Sequence, residues 1–266
     1  MQGTVFSLND NPFHLLNAGF DATASDIVEL AEAAEFDGAH EPVVLLRARQ
    51  ALVTPRLRLP AELAWLPELT EAQVAQVGPM LKASAPADVL RAIAHWPELA
   101  KANIAAHLCA AAPGENAGAA VGFLLSAWDD VEPDHVTRAV NAERIRSGFP
   151  RVTAPAVIEA LDALRQQHAR AAAVAVSTSR EPKPGALMNA LVEEELRRNS
   201  SSGILGHVVR EYDTRSEPEL ARITAAIDAA VDGARKVDRE IASHAARIAS
   251  LLAEWDAVNQ PVQVFD

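Results

Sequence analysis

Cysteine is nearly absent from this chain. Cys109 is the only one among 266 residues, so no intrachain disulfide can form and packing must hold the fold. Its neighbours Leu108 and Ala110 place it in an apolar stretch, where a thiol reads as a small core residue rather than a nucleophile. Aromatic residues are scarce at 5 %, with a single Tyr, and the apolar share of 49 % is carried by Ala, Leu and Val. That share supports a real core and excludes a disordered chain. Ala loses no side-chain entropy in a helix, whereas sheets draw on β-branched and aromatic residues, so the composition points to an all-α fold.

Positive charge is also in deficit. Lys and Arg number 24 against 36 Asp and Glu, a formal net charge of -12. A nucleic-acid binder needs a positive field to replace phosphate counterions, so nucleic acid is not an expected partner. Long hydrophobic runs are missing too. Ala102–Gly114 and Asn116–Trp128 are interrupted by Pro113, Gly114 and Glu115, and each falls short of the ~20 residues a membrane helix requires. No membrane span is expected. Met1–Asp10 lacks the basic start and apolar stretch of a signal peptide, and with a single cysteine the default location is cytoplasmic.

Recognisable catalytic patterns are absent as well. The histidines at 14, 40, 95, 107, 135, 168, 207 and 244 form neither an H-E-x-x-H pattern nor an i, i+4 pair for zinc. No G-x-S-x-G elbow or Walker loop occurs. Gly114, Gly118 and Gly122 recur every fourth residue and read as a smooth strip for helix packing. Ser200-Ser201-Ser202-Gly203 reads as a cap and hinge. Glu193-Glu194-Glu195 fans around a helix, so its carboxylates cannot converge, and it reads as a solvated face. The clusters Arg144, Arg146, Arg151 and Arg197, Arg198 read the same way. His168 and His244 both fall on apolar stripes, as core-edge residues or as a pH-sensitive facing pair. No catalytic, cofactor-binding or metal-ligating residue is assigned, and the chain is read as a non-enzyme.

What the sequence does contain is helical periodicity. Thr23 or Ser25 can cap a helix over 26–36, and Pro42 suits the first turn of another reaching Val53. A short helix over 57–66 carries Trp65. Five more follow near 70–83, 86–94, 97–112, 116–129 and 133–147, punctuated by Pro. A long helix over 156–176 buries Val157, Leu161, Leu164, His168 and Ala171 on one face. Another restarts at Ala186 toward Tyr212, with a break near 199–203. From Glu217-Pro218, the residues Leu220, Ile223, Ile227, Val231, Ala234, Val237, Ile241, His244, Ile248, Leu251 and Trp255 step by three or four. That spacing predicts one helix of about forty residues in a bundle or coiled coil. The expected organisation is a head over 1–67, a short-helix domain over 68–150 and a long-helix region over 151–266.

The head carries a resemblance. Asn11-Pro12-Phe13-His14-Leu15-Leu16 and Ala22-Thr23-Ala24-Ser25-Asp26-Ile27 resemble the opening of a J-domain. Ala48-Arg49-Gln50-Ala51-Leu52-Val53-Thr54-Pro55-Arg56-Leu57-Arg58-Leu59 looks like that family's third helix and its P-x-x-R ending. The family stimulates DnaK-type chaperones through a His-Pro-Asp tripeptide, but here the segment reads Phe36-Asp37-Gly38-Ala39-His40-Glu41-Pro42. Glu29, Glu32 and Glu35 also make the second helix acidic where the family is basic. The resemblance therefore implies an inherited fold without the co-chaperone activity. Ala61-Glu62-Leu63-Ala64-Trp65-Leu66-Pro67 and Trp255-Asp256-Ala257-Val258-Asn259-Gln260-Pro261 are similar to segments of uncharacterised bacterial proteins with a J-like head and a long helical region, which continue past this point. The expectation is a bacterial helical adaptor or scaffold binding protein partners. The alternatives are a divergent co-chaperone of a DnaK-type chaperone and an enzyme with a cryptic site.

Overall fold

The computed structural model describes residues 6–111, 114, 116–199, 203–236 and 241–259. Among them the fold is all-α, thirteen helices and one short 3-10 turn with no strand. After the turn Leu8–Asp10 come α1 (Pro12–Leu15), α2 (Ala24–Asp37), α3 (Pro42–Val53) and α4 (Pro55–Leu63). The middle of the chain supplies α5 (Glu71–Ala83), α6 (Pro86–Ala92), α7 (Glu98–Ala111), α8 (Ala117–Asp129) and α9 (Pro133–Arg146). Then follow α10 (Ala154–Ser177), α11 (Pro184–Arg198), α12 (Ile204–Lys236) and α13 (Ile241–Asn259). No described helix is long and apolar enough to cross a membrane.

Local chemistry sets most of the helix starts. Thr23 accepts from the Asp26 amide while the Asp26 carboxylate accepts from the Thr23 amide, a reciprocal capping box that begins α2. Thr70 and Gln73 repeat the device at α5. Pro opens α1, α3, α4, α6, α9, α10 and α11 in the first turn, where its missing N–H has no intrahelical partner to lose.

α10 is the central strut. It packs against α4, α7, α8, α9, α11 and α12. The predicted stripe of Val157, Leu161, Leu164, His168 and Ala171 is buried. Past His168 the helix is enclosed nearly all round, and Ala169, Ala171, Ala172, Ala173 and Ala175 let neighbouring backbones approach closely. Buried residues from Phe6 to Tyr212 form one contiguous apolar cluster containing residues of all three expected segments. Cys109 is 1 % exposed within it.

The C-terminal pattern folds differently from the expected single helix. α12 begins at Ile204, runs straight through Pro218 and ends at Lys236, and α13 returns against it. The Tyr212 hydroxyl near the start of α12 donates to the Val258 carbonyl near the end of α13, 3.0 Å away, so the two are antiparallel. Pro218 removes one helical hydrogen bond, but burial of Tyr212, Ser216 and Ile223 on either side keeps the helix continuous. Doubling back lets the apolar seam cover itself: Ile223 and Ala230 on one limb and Leu251 on the other are buried. Ala234, Val237 and Ile241 of that seam lie outside the residues whose side chains are described.

Two buried asparagines tie the segments together. Asn103 on α7 donates to the Leu63 and Trp65 carbonyls, at 2.8 and 2.5 Å, serving the C-terminus of α4. Asn11 donates to the Ala61 carbonyl at 3.0 Å and accepts from the Phe13 amide. Asn103→Leu strands two buried carbonyls, so it is expected to cost about 2–3 kcal/mol in urea unfolding. A loss within error would show that those carbonyls find other partners.

Candidate functional site

The most exposed large apolar side chain of the described residues is Phe36, 93 % accessible at the C-terminus of α2. Gly38 ends that helix in the left-handed region, φ 63°, and the chain turns through Ala39, His40 and Glu41 into α3. This connection makes α2 and α3 a hairpin whose tip, from Glu35 to Val43, is exposed throughout. Val43 and Leu46 on α3 are 50 % and 52 % accessible. Between the two helices lies an open groove of about 390 Å³ with Ala31 and Leu45 at its base. Val43 and Leu46 line the α3 side, Glu32 and Glu35 the α2 side, and Arg49 lies toward the root. Glu32 and Phe36 stand four residues apart and share a face of α2. Asp26, Glu29 and Asp37 extend the acidic character of that helix.

The hairpin is mounted on a buried ionic frame. Arg58, Glu62 and Arg144 are each 2 % exposed or less. Arg58 Nε donates to Glu62 Oε1 at 2.8 Å, and Arg144 Nε donates to Glu62 Oε2 at 2.8 Å. One carboxylate thus serves two guanidiniums, and main-chain carbonyls take the remaining donors. Arg58 reaches the Phe20 carbonyl at 2.9 Å, just before α2, and the Leu52 carbonyl at 3.4 Å, in the last turn of α3. Arg144 reaches the Pro55 and Pro150 carbonyls at 3.0 and 3.1 Å. The rings of Phe149 and Phe13 flank the Arg58 guanidinium, with centroids 4.1 and 5.1 Å away. Burial holds the Arg58 pKa below its ordinary value, only partly offset by the Glu62 hydrogen bond and charge. Both roots of the hairpin are therefore held by one side chain that is itself fully enclosed.

A second, wider depression lies elsewhere. Glu68, Trp96, Glu98, Asp130, Glu132, Asp134, His95, His135 and Arg138 are among the residues lining an open cleft of about 770 Å³ between the start of α7 and the start of α9. His135 Nε2 stands 2.7 Å from Glu68 Oε2, and Glu68 adopts φ 63°. That φ is uncommon for a non-glycine residue. With side-chain exposures of 57 % and 29 %, the pair is open to solvent.

The remaining sequence candidates are dispersed. His168 is fully buried; its Nδ1 accepts from Trp128 Nε1 at 3.1 Å, and the Phe6 ring packs edge-on 4.5 Å away. Its partners therefore come from α8 and the N-terminal segment, whereas His244 lies on α13, which packs on α11 and α12. Burial pushes the Cys109 thiol up to about 12, as for an inert core sulfur. Gly114 and Gly118 do sit at close approaches, where an added Cβ would meet the Thr178 carbonyl oxygen at 2.9 Å and Leu187 Cδ1 at 3.0 Å. Gly122 faces open space and drops out of the packing strip.

Two solvated-face readings need correction. Arg144 belongs to the buried frame, while Arg146 is exposed and pairs with Glu143. Glu195 is 9 % exposed and pairs with Arg198, which also reaches Asp129 on α8 at 3.1 Å. Ser200, Ser201 and Ser202 lie outside the described residues. Among the described residues no group of three His, Cys, Asp or Glu side chains is placed to hold a metal ion. No protein-family model, no curated protein and no solved structure matches the chain.

Proposed function

We propose that this chain is a non-enzymatic helical adaptor that binds protein partners in a bacterial assembly, using the α2–α3 hairpin as a contact surface. The observation that carries the reading is the exposure of Phe36 at 93 % and of Val43 and Leu46 at 50 % and 52 %, all on a hairpin whose roots are held by buried Arg58. Val43 and Leu46 line one groove between the two helices, and contiguous exposed apolar surface marks recognition sites. The J-like reading of the head is supported by its helix order, a short α1, the α2–α3 hairpin and α4 beginning at Pro55. The acidic α2 argues against the family's usual docking on a DnaK-type chaperone.

The test is affinity capture of the tagged full chain from its native host, with the captured proteins quantified against the bait. The adaptor reading expects a stoichiometric protein partner. Recovery of a DnaK-type chaperone alone would replace it with the co-chaperone role, and an empty bait would overturn it.

A further inference from the structure

The groove between α2 and α3 has a chemistry that selects its occupant. Its floor is apolar, with Ala31 6 % and Leu45 3 % exposed. Its two walls differ: Val43 and Leu46 present aliphatic surface on α3, while Glu32 and Glu35 present carboxylates on α2. No salt bridge engages either carboxylate among the described residues, which leaves both free to take a cation from outside. The α3 residues lining the groove run from Pro42 to Arg49, about 10 Å at 1.5 Å per residue, or roughly two turns of a docked helix. A partner must offer an apolar stripe at helical spacing to seat on the floor. It must also carry Lys or Arg on the flank facing α2. An acidic partner would meet Glu29, Glu32, Glu35 and Asp37 with like charge. Arg49, which lines the groove toward its root, and exposed Arg47 are the Lys or Arg residues nearest the groove in sequence, and neither lies at the tip.

We infer that the α2–α3 groove is a docking site for a basic amphipathic helix of a protein partner. This rests on the adaptor reading and gives it a place and a partner chemistry. Apolar burial supplies the affinity. The carboxylates of α2 supply orientation and discrimination against acidic helices.

The experiment is fluorescence anisotropy of the full chain with a labelled synthetic helix carrying a leucine stripe and lysines elsewhere, alongside its glutamate-for-lysine counterpart. Saturable binding of the lysine peptide is expected, at least about ten-fold tighter than the glutamate peptide at low salt. Leu46→Asp should weaken it by about ten-fold or more. Because Leu46 is half exposed, that variant should unfold at the wild-type temperature, so lost binding would not reflect lost folding. Glu32→Lys with Glu35→Lys should erase the preference between the peptides. The inference is overturned if neither peptide saturates, if both bind alike, or if Leu46→Asp binds as tightly as wild type. Concentration-dependent dimerisation abolished by Leu46→Asp would assign the face to a second copy of the chain and overturn it as well. The titration needs no native partner: capture of a partner without peptide binding removes the groove assignment alone, and peptide binding with an empty capture removes the adaptor reading alone.

Discussion

Glu62→Gln is expected to lower the unfolding free energy by about 3–5 kcal/mol, the largest loss from a single polar substitution in this protein. Arg58 and Arg144 share that one carboxylate at 2.8 Å on each side. Neither guanidinium has an exposed surface through which water could replace it. Removing the negative charge leaves two cations facing each other in a site closed by Phe13 and Phe149. For a domain stable by 5–15 kcal/mol such a loss is a large fraction of the total. Replacing the three together, Arg58→Met, Glu62→Leu and Arg144→Met, removes the desolvation cost along with the attraction, and most of the stability should return. The Phe20 and Leu52 carbonyls would then lack their donor. The triple variant should therefore show faster amide exchange at the roots of α2 and α3 even where global stability recovers. Urea unfolding of both variants checks this; a Glu62→Gln loss below about 1 kcal/mol would contradict an enclosed frame.

Acid should destabilise the protein through His168. The imidazole has a reference pKa of 6.5, and burial in the fold pushes it down to about 3. Its Nδ1 is an acceptor for Trp128 Nε1–H, so the bound state is the neutral one. On the same indole lies the Arg165 guanidinium, 4.8 Å from the Trp128 ring centroid. Above about pH 6.5 both folded and unfolded chains are neutral at this site and its contribution is fully present. As pH falls below that value the unfolded chain takes up a proton that the folded chain refuses. Stability then falls by roughly 1.4 kcal/mol per pH unit until about pH 3. His107 acts in the same direction: burial lowers its pKa, and its Nδ1 accepts from the Leu8 amide at 3.3 Å. Both histidines contact the segment from Phe6 to Leu8, so its docking should loosen early in acid. His168→Asn keeps an acceptor for Trp128 and cannot titrate. It should be less stable at neutral pH, yet lose less on moving from pH 6.5 to about 4. A slope unchanged from wild type would contradict this assignment.

Much of the helical plan is legible in the sequence. The Thr23 cap, the proline-initiated helices and the α10 stripe all follow from short-range rules, because caps and periodicity depend on residues within one or two turns. The C-terminal seam shows what periodicity omits. The spacing from Leu220 to Trp255 reports that one face is apolar. It does not say what covers that face, and here α13 covers α12. Buried charge is equally silent. Arg58 and Glu62 are an ordinary i, i+4 pair on paper, and Arg144 sits among arginines that are exposed; only the tertiary fold brings a residue 82 positions from Glu62 onto its second oxygen. Phe36 is hidden in the opposite sense. A phenylalanine ending a helix looks like a core residue, and its exposure becomes visible only when the hairpin tip from Glu35 to Val43 is seen to be exposed throughout.

The most direct test of the account is paired capture from the native host with wild-type bait and Leu46→Asp bait, both shown by thermal unfolding to be folded. The account predicts that the stoichiometric partner recovered with wild type falls about ten-fold or more with the variant, and that this partner carries a basic amphipathic helix. Equal recovery of the same partner by both baits would contradict the claim that the α2–α3 hairpin is the surface through which this protein works.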